Sequence, residues 1–235
     1  MPSYSPVLAI ATGIFELAAA AWTLNSPGRK SILRPTALIF ILLAGYQFAE
    51  VAVCARPATL LYSRLAFLDI TWLPPVGIWL VYRLLPRAPR RILFPAVFMA
   101  AAVGVSAWIA LDPATITKSV CQTVIVRYFH GPVFEVAYGM FYQAGMGVLI
   151  FWPALTMAAV GDATARNHLA CVQSGVLGFV LPSLFVRLMV KEPAGLLPSV
   201  MCHFAVTLAV ALTLLVARER RAAVGENKRI QASQA

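Results

Sequence analysis

Seven apolar stretches of about 20 residues each, separated by short polar segments, set the pattern of this chain. They occupy residues 6–24, 35–54, 59–81, 92–111, 134–158, 168–189 and 196–217. A helix rises 1.5 Å per residue, so roughly 20 residues cross the ~30 Å hydrocarbon core of a bilayer. Lipid offers the backbone no hydrogen bonds, so a spanning segment must satisfy its own, as a helix does. The alternating strands of about ten residues that build a membrane barrel do not occur. The pattern predicts an all-α, polytopic integral membrane protein with a seven-transmembrane-helix bundle over residues 1–221. A short polar tail, 222–235, is expected to fray.

Interruptions of the pattern predict local features. Pro74 and Pro75 fall in the third stretch, Pro153 in the fifth, Pro182 in the sixth and Pro198 early in the seventh. Proline lacks a backbone donor and predicts a kink at each. The longest connection is 112–133. Its segment TVIVRYFH, 123–130, is β-branched and aromatic, which suits either a loop anchored by its aromatics at the headgroup level, the first expectation, or a short strand or interfacial flap ended by Gly131-Pro132.

Charge gives these spans a direction. Connections on one side carry Arg29, Lys30, Arg34, Arg83, Arg87, Arg90, Arg91 and Arg166, and the tail adds Arg218, Arg220, Arg221, Lys228 and Arg229. The other side carries Arg56, Lys118, Arg127 and Lys191, a bias of 13 to 4. Positive charge stays in the cytoplasm, so the N-terminus is expected outside and the C-terminus inside. The first stretch has no basic residue before it and contains Glu16, so it is expected to remain as a span rather than act as a cleaved signal.

Composition agrees: 60% of the 235 residues are hydrophobic and 12% charged. The net charge of +10 would suit nucleic acid, but the cations cluster at span ends and in the tail. Their expected partners are anionic lipid headgroups, and nucleic acid is not an expected partner. Beyond the bilayer, the expected partners are another membrane protein or a second copy of the chain. The expected location is a bacterial inner (plasma) membrane.

Four of the nine acidic residues, Glu16, Glu50, Asp69 and Glu135, lie within the apolar stretches. A carboxylate in hydrocarbon costs at least ~2.5–3.5 kcal/mol, so such groups face a protein interior or a wet cavity. Counting depth along each span brings a polar set into the outer half or middle. Gln47 and Glu50 share a helical face with Tyr46. Arg64 lies in the outer third of the third span, with Asp69 near its middle. Glu135, Tyr138 and Tyr142 form an i, i+3, i+7 stripe beside Gln143, and His203 joins them from the last span. Together they predict an outward-facing polar pocket for a small ligand or ion, in a transporter, channel or receptor. The competing reading of the same residues is a set of buried structural networks. Glu16 reads as deeper and without a partner.

Two other functional classes stay open: a non-catalytic subunit or assembly factor of a larger membrane complex, and an intramembrane enzyme using carboxylates with His203. The enzymatic reading ranks last, and no catalytic residue is assigned. The three histidines include no His-x-x-x-His pair, and the four cysteines no Cys-x-x-Cys pair, so no metal site is assigned. Histidines at matched depths for a haem are lacking, and no cofactor is assigned. No span contains a lysine, which rules out a retinal Schiff base. Free buried thiols are the default expectation for the cysteines, but Cys54 and Cys121 both fall on the outer side, where a disulfide would pin the long connection over the bundle.

Overall fold

A computed structural model describes residues 5–56, 59–85, 92–122, 125–190 and 197–234. Arg87, Arg90, Arg91, Thr123 and Lys191 lie outside the described residues, as do the side chains of Arg187, Ser199 and Cys202. The chain runs α1 (Val7–Asn25), α2 (Lys30–Ala55), α3 (Leu61–Thr71), α4 (Leu73–Leu84), α5 (Leu93–Leu111), β1 (Ile116–Cys121), β2 (Val126–His130), α6 (Pro132–Ala159), α7 (Ala163–Val190) and α8 (Leu197–Gln234). Among the described residues, six helical segments are long and apolar enough to cross a membrane: α1, α2, the α3–α4 pair, α5, α6 and Ala163–Phe185 of α7. The last helix, α8, packs along α7 and also reaches α1 and α2.

The third predicted span is two helices. Trp72 separates them, its N–H turning back to the carbonyls of Asp69 and Ile70. Pro74 and Pro75 explain the position of the restart. Near a helix N-terminus the backbone N–H has no intrahelical acceptor, so a missing donor costs nothing there. Pro153 and Pro182, by contrast, sit inside α6 and α7, both assigned as continuous helices. The tail also departs from expectation: α8 stays helical as far as Gln234 instead of fraying after residue 221.

The long connection is a two-stranded antiparallel hairpin rather than an anchored loop, and Cys121 ends β1 opposite Val126 of β2. Cys54, near the end of α2, is disulfide-bonded to Cys121, with 5.7 Å between the Cα atoms. The hairpin turns Ile116, Val126 and Tyr128 into the core. Phe67 of α3 is the hub there, with ring centroids 5.1 Å from Tyr128, 4.7 Å from His130 and 5.3 Å from Tyr138. His130 Nδ1 lies 3.1 Å from the Thr115 carbonyl, which can only accept, so Nδ1 carries the proton. Burial pushes the His130 imidazole below its usual range, keeping it neutral at pH 7.

Two aspartates cap backbone N–H groups at helix ends. Asp162 accepts from the N–H groups of Thr164 and Ala165 at the start of α7. Asp112, at the end of α5, accepts from Ala114 N–H and the Trp108 indole. These bonds, with Arg64 adding, hold its carboxyl below the usual range.

Candidate functional site

The bundle interior brings together two carboxylates that sequence spacing kept apart. Glu16 of α1 is 0% exposed, and neither carboxylate oxygen has a hydrogen-bond partner among the described residues. Asp69, in the last turn of α3 beside the Trp72 break, lies close enough for the two charges to interact. Its carboxylate accepts from the Tyr46 backbone, and its buried Oδ2 has no partner among the described residues.

Helix α2 makes the meeting possible. A Cβ at Gly45 would lie 2.7 Å from Asp69 Oδ1, closer than real side chains approach, so only glycine leaves room for the carboxylate. On the α1 side, a Cβ at Gly13 would come within 3.0 Å of the Phe48 ring and 3.4 Å of Gln47 Cβ. That contact sets the level of antiparallel α1: Glu16, one turn further, reaches the height of Gly45. From there α2 carries a buried polar line, Tyr46, Gln47 and Glu50, toward Cys54 and the hairpin. Glu16 therefore belongs with Asp69, and it is not the isolated residue that its depth suggested. The available signal was that both acids fall near the middle of their spans.

The other predicted residues divide. Tyr138 and Tyr142 turn inward, each 8% exposed, and stack in a ladder with Phe134 at centroid spacings of 5.2 and 5.9 Å. Glu135 does not follow them. It sits exposed in the first turn of α6, where a carboxylate suits the positive end of the helix dipole. Gln143 is likewise exposed on the outside of the bundle, away from Tyr142. Arg64 is half-buried, with its Nε–H lacking an acceptor among the described residues, and its charge is felt by Asp112. His203 is half-buried on α8 and engaged by a neighbour.

Two cavities bear on the expected pocket, and both are apolar. An open groove of 840 Å³ runs between α5 and α6, lined by residues such as Phe94, Phe98, Phe151 and Trp152. A 30 Å³ void lies deep between α2, α4, α6, α7 and α8, against Tyr142. Among the described residues no group of three His, Cys, Asp or Glu side chains is arranged to hold a metal ion.

A second buried polar site was not anticipated, because its acid stands among arginines at 218–221. Glu219 of α8 accepts from Arg29 Nε and Nη2, each at 2.8 Å, and from the Arg29 backbone N–H at 2.9 Å. His168 Nδ1 stands 3.7 Å from the same carboxylate. Gly28 holds φ at +144°, a conformation open mainly to glycine, and the Glu219 chain packs directly on it. These contacts tie the α1–α2 turn to α7 and α8. Burial alone would raise Glu219, but the Arg29 hydrogen bonds and charge outweigh it and hold the carboxyl below its usual range.

A stability test follows. With Arg29's side chain 54% exposed, solvent screens the ion pair, so Glu219→Ala is expected to lose about 1–3 kcal/mol, mostly from its hydrogen bonds. The folded value lies below the unfolded 4.5, so this stabilisation is complete above about pH 4.5 and fades as pH falls through the folded value. Unfolding midpoints measured from pH 3 to pH 7 should therefore converge for wild type and Glu219→Ala at the acid end. A constant gap would refute the assignment.

No family model, no curated protein and no solved structure matches this chain.

Proposed function

We propose that this is a seven-helix membrane protein that binds a small monovalent cation, H⁺ included, at Glu16 and Asp69, acting as a transporter, channel or receptor. One observation carries the reading: Glu16 presents two buried, unpartnered carboxylate oxygens to the charge of Asp69. Two anionic groups in a low-dielectric interior are strongly disfavoured unless a cation neutralises one of them. A single positive charge, carried by a proton or a monovalent ion, is enough to neutralise one of the two carboxylates. The Trp72 break beside Asp69 gives the site a place where the helices can adjust around an ion.

In this reading α8 is the seventh span, the N-terminus is outside and the C-terminus cytoplasmic. Support comes from the Lys/Arg bias and from the Cys54–Cys121 bond, since disulfides persist in oxidising compartments. Both cysteines lie at the end of the bundle toward which Gln47 and Glu50 lead, so the ion reaches the acids from the outer side.

The experiment is thermal unfolding of the protein in lipid nanodiscs, at constant ionic strength, in Na⁺, K⁺ or choline and from pH 5 to pH 9. Wild type is expected to be stabilised by one cation or by protons, with the dependence reduced in Glu16→Gln and in Asp69→Asn. Choline as the inert arm separates metal cations from protons. Wild-type curves that respond to neither, or variants that respond as strongly as wild type, would overturn the proposal.

A further inference from the structure

The residue least at home in this structure is Gln143. It lies within about 4 Å of the midpoint of α6, taking 1.5 Å per residue, and so near the centre of a ~30 Å hydrocarbon layer. It is exposed on the outer surface of the bundle, in contrast to Tyr142 beside it. A carboxamide has two donors and two acceptor lone pairs, and lipid satisfies none of them. Polar side chains of this kind hold transmembrane helices together by hydrogen bonding across a helix–helix interface.

We infer that α6 is a self-association surface, on which Gln143 meets Gln143 of a second copy of this chain. Three features select that occupant. The amide is both donor and acceptor and is therefore complementary to itself, as a two-fold interface requires. Its neighbours one turn away on either side are Gly139 and Gly147, and a Cβ at either would meet nothing within 4 Å. The backbone is thus bare above and below the amide, which allows a second helix to approach closely enough for the bonds to form. The exposed residues Val136 and Met140 extend the same surface with apolar contact. Glu135, at the water-exposed start of α6, lies outside the hydrocarbon and adds no buried charge to the contact. The inference is independent of ion binding at Glu16 and Asp69.

The test is dilution of fluorophore-labelled full-length protein in lipid vesicles, read by energy transfer, with each variant's thermal midpoint recorded as a folding control. Wild type is expected to dimerise reversibly. Gln143→Leu, which keeps the volume and removes the hydrogen bonds, should weaken the dimer roughly ten-fold. Gly147→Leu, which blocks backbone approach, should weaken it at least as much. Val103→Ala, on an exposed face of α5, should leave it unchanged. If Gly147→Leu fails to fold, Gln143→Cys provides a second reading, since oxidation in native membranes should join two copies through that position. A wild type that stays monomeric at high protein-to-lipid ratio, or a dimer indifferent to Gln143→Leu and not trapped by Gln143→Cys, would overturn the inference.

Discussion

Breaking the Cys54–Cys121 bond is expected to produce a large loss of stability. The bond closes a loop with a sequence separation of 67, for which chain-entropy bookkeeping gives about 4 kcal/mol. Spans that stay inserted after unfolding already restrain the chain, which brings the expected loss to about 2–3 kcal/mol. The energetic consequence should concentrate in the hairpin, because the bond draws β1 to α2 while Tyr128 and His130 pack on Phe67. Unfolding in detergent with and without reductant would measure it. Wild type should shift down on reduction, and a Cys54→Ala/Cys121→Ala protein should already be low and ignore the reductant. Equal midpoints for oxidised and reduced wild type would contradict the expectation.

The other large effect is expected at Gly45. Adding one methyl group there forces it within 2.7 Å of Asp69 Oδ1. The carboxylate has nowhere equivalent to go, since α2 already donates to it through the Tyr46 backbone. Gly45→Ala should therefore cost about 2–4 kcal/mol, although alanine is the better helix former and would stabilise an unencumbered helix. A double-mutant cycle isolates the cause. In an Asp69→Ala background the added methyl fills vacated space, and the penalty of Gly45→Ala should fall below about 1 kcal/mol. The same penalty in both backgrounds would mean that the carboxylate does not occupy the gap.

Much of the architecture was legible because hydrocarbon imposes a simple length rule. The apolar stretches foretold the helices, whereas the β-branched run before Gly131 suited a loop as well as the strand β2 that it forms. Rotation about each helix axis was much less legible. Glu135, Tyr138 and Tyr142 share a stripe by spacing, yet only the tyrosines enter the core, because the stripe's end at Glu135 has already reached the first turn of α6. Gln143 follows Tyr142 by one residue, about 100° around the helix, which was enough to turn it outward. Asp69 comes within electrostatic range of Glu16 by fitting against a missing side chain on a third helix, and nothing in either residue's own neighbourhood announces Gly45 as the gap. Glu219 was hidden by the arginines around it, which reported topology and masked a single buried acid.

The disulfide also has a consequence for biosynthesis. Cys54 is made early, at the end of the second helix, whereas its partner follows only after α3, α4 and α5 have been synthesised. With helix lengths fixed by the bilayer, the two sulfurs reach the same compartment only if the intervening segments cross an even number of times. The bond thus reports the parity of insertion: a chain in which α3–α4 or α5 fails to thread leaves Cys54 and Cys121 on opposite sides and unbridged. Free thiol at Cys54 would mark misassembled molecules within a membrane population.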